Sequence, residues 1–166
     1  MPTDALVKVD GSVQNDELIQ LVSFELEGEE YGVAVLSVRE IIRMAAITRM
    51  PNMPHYVEGI INLRGIVVPI ISLSRRFGLT GRENDRQSRI VVMEIGAGLT
   101  GFVVDAVAEV IRISASEIQP PPAITQDSAA QDCVCGVINR GERLLIVLDL
   151  LRLFSDEERQ MFESMG

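Results

Sequence analysis

The chain repeats itself, and no other feature restricts its fold so strongly. "GIINLRGIVVPIISLSRRF" (Gly59–Phe77) lies over "GVINRGERLLIVLDLLRLF" (Gly136–Phe154) without a gap. Gly59 meets Gly136, Ile61 meets Ile138, Asn62 meets Asn139, Leu73 meets Leu150, Arg75 meets Arg152 and Phe77 meets Phe154. Upstream, "FELEGEEYGVAVLSVREII" (Phe24–Ile42) runs beside "MEIGAGLTGFVVDAVAEVI" (Met93–Ile111). There Gly32 meets Gly101, Val35 meets Val104, Val38 meets Val107 and Glu40 meets Glu109. Two matched blocks in one order imply two structurally similar halves, about residues 20–80 and 88–155.

Within each half the signals are those of strands. "LVSFELEGEEYGVAVLSV" is an apolar run, a polar turn at Glu27–Glu30, and a second apolar run, which predicts a hairpin. Its copy turns through Gly96–Gly101, where glycine takes positive φ at no cost. "GIVVPIISL" and "RLLIVLDLL" are aliphatic runs too short for stable helices. Pro69 cannot donate to a ladder and is expected at an edge or bulge. About five strands per half suggest a small closed barrel, which leaves no exposed edge. At 166 residues, neither half is large enough to stand comfortably alone, so the two barrels should share apolar surface. The expected fold is all-β: two packed five-stranded barrels with a short C-terminal helix. A turn should follow Leu73 through Phe77. The helix, over residues 156–166, should start after Ser155, where "SDEE" puts Glu158 at the capping-box position. Residues 1–17 read as a flexible tail, and "EIQPPPAITQDSAAQD" as a long loop.

A formal net charge of −9 argues against nucleic-acid binding, which needs a basic face. Arg75, Arg76, Arg82, Arg86 and Arg89 cluster, but Glu83 and Asp85 interrupt them, so they are expected in a solvated loop. The longest apolar run is broken by Arg64 and Pro69 and falls short of a bilayer span. No basic start followed by an apolar stretch marks the N-terminus, which points to the cytoplasm. Chemistry is hard to find. His55, the single histidine, sits in a turn context. No phosphate-binding loop, nucleophile–base pair or cofactor motif is present. Cys133 and Cys135 are too few for a metal site without partners and read as small residues near a core strand. The balance favours a binding protein over an enzyme.

Arg64 is the oddity, a charge inside an otherwise apolar run. Its repeat counterpart is Gly141, so a barrel of this kind does not require arginine there. An ion pair with Glu40 is the structural explanation. A partner contact is the functional one, since a rigid guanidinium fork suits protein interfaces. The two are compatible.

"YGVAVLSVREII", "ITRMPNMPHYVEGIINLRGIVVPIISLSRRFGL" and "GFVVDAVAEVI" together resemble the CheW family of chemotaxis adaptors, over about residues 20–155. The resemblance implies two five-stranded SH3-like β-barrels and a non-catalytic scaffold. It implies coupling of transmembrane chemoreceptors (methyl-accepting chemotaxis proteins) to the histidine kinase CheA. The receptor's helical tip would dock in a groove between barrels, at positions matching Arg64, Glu40, Val38, Gly59, Asn62 and Val107. The kinase's CheW-like regulatory domain would bind barrel edges, at residues the resemblance does not identify. No nucleic acid, membrane insertion, cofactor or strong self-association is implied; recruitment to the inner membrane face would come through receptors. The family often carries aspartate where Ser72 stands, whereas the second copy keeps Asp149, and the Cys-x-Cys pair is not a family signature. An adaptor of a parallel pathway, for surface motility or biofilm control, would read the same way. A small-ligand-binding barrel would need convergent polar groups that the sequence does not offer.

Overall fold

The structure is a computed structural model that describes residues 17–79, 83–121 and 132–165. Residues 1–16 of the expected tail and much of the expected proline-rich loop lie outside the described residues. Ten strands follow in order: β1 (Leu18–Leu26), β2 (Glu29–Ala34), β3 (Val38–Arg43), β4 (Val57–Leu63), β5 (Ile66–Ser72), β6 (Arg89–Ile95), β7 (Gly98–Val104), β8 (Ala106–Ser114), β9 (Val134–Arg140) and β10 (Arg143–Leu148). A one-turn helix α1 (Leu73–Arg76) follows β5, and α2 (Asp156–Met165) ends the described chain.

The strands form two five-stranded sheets, ordered β8-β1-β2-β10-β9 and β3-β6-β7-β5-β4. Each sheet closes on itself. Beyond β3, Thr48 pairs with Ile60 of β4 through two 2.9 Å backbone hydrogen bonds. Beyond β8, Gln119 pairs with Val137 of β9 at 2.9 and 2.8 Å. The repeated glycines make both closures possible. A Cβ at Gly59, whose φ is +145°, would lie 2.2 Å from the Thr48 carbonyl oxygen; one at Gly136 would lie 2.7 Å from that of Gln119. No larger residue fits under the closing segment.

The sequence halves are not the barrels, which corrects the expectation of one barrel per half. Shifting each strand number by five turns the first sheet order into the second. The first barrel therefore takes β1–β2 from one half and β8–β10 from the other, while the second takes β3–β5 and β6–β7. The chain crosses between barrels at the 3-10 turn Val35–Ser37 and again at Asp105. The second barrel is thus one continuous segment inserted into the first.

Apolar side chains sort into three clusters. Leu21, Ile111, Ile138, Leu145 and Val147 fill the first barrel, and Ile61, Val68, Ile70, Ile90 and Val92 fill the second. The largest cluster is the seam, with Phe24, Tyr31, Tyr56, Phe102, Phe154 and Phe162. Phe154 sits among Tyr56, Phe102 and Phe162, at centroid distances of 6.1, 6.2 and 4.9 Å. Residues on one strand serve two cores: in β6, Ile90 and Val92 point into the barrel and Val91 and Met93 into the seam.

Two smaller expectations change. Pro69 lies in β5, a strand with neighbours on both sides, and pairs with Ile60. The β5–β7 ladder starts at Ile70, so on that side the proline interrupts nothing. Arg75 and Arg76 belong to α1, and Arg76 is drawn inward rather than solvated. The capping box is as expected: Glu158 N donates to Ser155 Oγ at 3.1 Å and Ser155 N to Glu158 Oε1 at 3.0 Å.

Candidate functional site

The β4–β5 hairpin turns through two residues, Arg64 and Gly65, between the paired Leu63 and Ile66. Both have positive φ, +52° and +91°, the type I′ geometry that matches strand twist. Glycine adopts it freely; arginine does so at a cost of about 1 kcal/mol or more. Asn62 braces the turn, its Oδ1 accepting from Gly65 N at 2.7 Å. Arg64 is therefore not a charge in a buried strand. It stands at a hairpin tip with its side chain 70% exposed. There its guanidinium donates to Glu40 on β3, the partner expected from sequence.

Around this pair lies a recess of ≈ 460 Å³, walled by Arg39, Glu40, Leu63, Arg64, Ile66 and Leu99. A second recess of ≈ 510 Å³ adjoins it, sharing Arg39, Ile66 and Leu99 and extending to Pro69, Glu94 and Phe162. A second ion pair, Arg39–Glu94, spans β3 and β6. It depends on a register shift between Val38 and Glu40, which no sequence pattern announces. The double recess sets aliphatic Leu63, Ile66 and Leu99, of which Ile66 is exposed, beside two cation–anion pairs, so that its lining is at least as polar as it is apolar.

Of the positions singled out from sequence, Arg64 and Glu40 meet in this recess. Asn62 supports the tip. Gly59 is buried beneath the closing Thr48. Val38 and Val107, one from each barrel, are partly buried against the seam cluster. The recess walls come from the second barrel and α2, so the Arg64 pair does not itself span the two barrels. The second barrel's device also has a counterpart in the first, where Arg140 lies 3.6 Å from Glu109. The acid keeps its repeat position and the arginine moves one residue back, so the copies share the pair although Arg64 aligns with Gly141.

Arg76 anchors the other end of this region. It donates to the Leu153 carbonyl at 2.7 Å and to Glu158 at 3.2 Å, and lies over the Tyr56 ring, 4.5 Å from its centroid. Tyr56 Oη also donates to Glu158. Burial pushes the Glu158 carboxyl up, but hydrogen bonds from Tyr56 and Ser155, with the Arg76 charge, hold it below its ordinary value. Burial, then the Glu158 hydrogen bond, push Tyr56 up to about 12.

Catalytic candidates gain nothing from the fold. His55 is exposed beside Tyr56. The Cys133 and Cys135 thiols are pushed up, chiefly by burial, to about 12 and about 11, which makes them poor nucleophiles at neutral pH. Among the described residues no three His, Cys, Asp or Glu side chains gather as a metal site, and no helix is long and apolar enough to cross a membrane.

Comparison with known proteins agrees with this architecture. The model of the CheW-like domain family matches residues 20–158. "Chemotaxis protein CheW" of Treponema pallidum is 38% identical over 152 residues, covering 88% of each chain. That of Klebsiella aerogenes is 35% identical over 147 residues, covering 89% of this chain and 88% of its own. The crystal structure of the scaffolding protein TtCheW from Thermoanaerobacter tengcongensis superposes with a TM-score of 0.76. It is 38% identical and covers 84% of this chain and 94% of that one.

Proposed function

The chain belongs to the CheW family of chemotaxis adaptors, and on that premise we propose that it couples chemoreceptors to a CheA-type histidine kinase without catalysing a reaction. The receptor's cytoplasmic helical tip occupies the recess at Arg64 and Glu40. Asn62 holds the hairpin tip, Gly59 lets the barrel close beneath it, and Val38 and Val107 lend apolar surface near the seam. The kinase's CheW-like domain docks elsewhere on the barrels. The adaptor works in the cytoplasm and is drawn to the inner membrane face through the receptors.

One observation carries this reading. An arginine is held exposed, in a strained turn, by an asparagine brace and a carboxylate partner, beside aliphatic Leu63, Ile66 and Leu99. An exposed ion pair contributes at most about 1 kcal/mol to stability, which barely offsets the turn's strain. Stability alone therefore gives little reason for arginine here, whereas a helix with apolar and charged residues meets a matching surface.

The test is Arg64→Glu, assayed by co-sedimentation with receptor-containing membranes and by receptor-stimulated kinase autophosphorylation. Receptor binding should fall at least tenfold while the thermal midpoint stays within a few degrees of the parent. A folded variant that still activates the kinase fully would sink the proposal.

A further inference from the structure

Helix α2 leaves the first barrel's last turn, Leu150–Leu153, yet packs on β5 and β7 of the second. It ties one barrel to the other. Ten residues are too few for a helix to persist on its own in water, so its seat must hold it. The apolar anchor is Phe162, 3% exposed and edge-on to Phe154. The polar anchor is Glu158, gripped by Arg76 and Tyr56. Both anchors reach the seam, and Phe162 also lines the larger half of the double recess, with Arg39, Ile66, Pro69 and Glu94.

A wall on a detachable element makes the recess conditional. With α2 seated, the lining of the double recess runs from Leu63 and Ile66 to Phe162. With α2 released, that lining loses its far wall and Phe154 loses its cover. We propose that α2 is a clasp whose Phe162 completes the docking recess, so that a partner helix binds the clasped form and in turn holds the clasp shut. The occupant is an amphipathic helix with an apolar stripe for Ile66 and Leu99, at the wall that Phe162 backs from beneath. Its flanking acidic and basic residues exchange with the Arg64–Glu40 and Arg39–Glu94 pairs. This rests on the docking reading above and adds a positioning role for Phe162 and α2.

The test is amide hydrogen exchange of the full chain, with and without a soluble fragment of a receptor's cytoplasmic tip. A ligand that binds only the clasped form lowers the opening equilibrium by 1 + [L]/Kd. At a fragment concentration of ten times Kd, amides in 156–165 should exchange about tenfold more slowly. Strand amides that open only globally should slow by the same factor. Slowing in the strands with unchanged exchange in α2 would overturn the clasp and leave docking intact. No slowing anywhere would overturn both. As a second arm, Phe162→Ala should weaken fragment binding at least fivefold, mainly through faster dissociation. Should that variant fail to fold, the exchange measurement on the unaltered chain still decides.

Discussion

Position 64 holds an arginine where a two-residue hairpin loop favours asparagine or glycine. The repeat supplies the control, because the matching place is Gly141, with φ +77°. Arg64→Gly should relieve about 1 kcal/mol of turn strain and lose an ion pair of similar size. Urea denaturation should thus place the variant within about 1 kcal/mol of the parent while receptor co-sedimentation is lost. Gly59 behaves in the opposite way. An alanine there meets the Thr48 carbonyl and a positive φ together, so Gly59→Ala should cost at least about 2 kcal/mol. Gly98→Ala, with nothing within 4 Å, should stay within about 1 kcal/mol of the parent in the same titration.

Among the elements, those set by neighbouring residues could be read from sequence. The Ser155–Glu158 box needs three residues of context, and α2 starts where it says. Ser72 and Asp149 show the same economy. Each caps the turn after its strand, Ser72 Oγ accepting from Arg75 N at 3.2 Å and Asp149 Oδ1 from Leu151 N at 3.1 Å. Serine at 72 thus caps the first copy's turn as aspartate at 149 caps the second's. Elements set by distant partners were not legible. The nearly unbroken run of buried residues along β1 fits a strand covered on both faces, but nothing in it says that its neighbour is β8, where Ser23 bonds across to Glu109. Arg39–Glu94 hangs on a bulge, and Phe162 belongs to a recess formed by strands far away in the chain. The turn that carries Arg64 is hard to read because Leu63 and Ile66 around it are aliphatic, and its two residues hide between them.

The same helix makes a pH prediction. Glu158 has a native pKa below its ordinary 4.5. Its contribution to seating α2 is therefore complete above pH 4.5 and is lost as pH falls through the depressed native value. Exchange protection in 156–165 should weaken below about pH 4.5, and Glu158→Gln should flatten that dependence.

At the scale of the molecule, the exchange of strands between halves decides how the chain holds together. Each barrel needs both halves, so residues 1–82 and 83–166 expressed separately should each lack a cooperative melt. Co-expressed, they should purify as one complex and bind the receptor fragment as the intact chain does. Two self-sufficient halves would instead give two folded fragments with no affinity for each other. The seam predicts a further property of the intact chain: Phe24, Phe102 and Phe154 lie in a core common to both barrels, so the two should unfold together.

The inserted order of the barrels also sets a schedule for synthesis. A chain emerging from the ribosome has every strand of the second barrel once residue 104 is out. The hairpin β1–β2, made first, still waits for β8, β9 and β10. Leu21, buried in the finished first barrel, has no complete core until β10, which ends at Leu148, is translated. The hairpin made before the second barrel is thus enclosed only after it, and that interval is when these strands have most need of protection from aggregation.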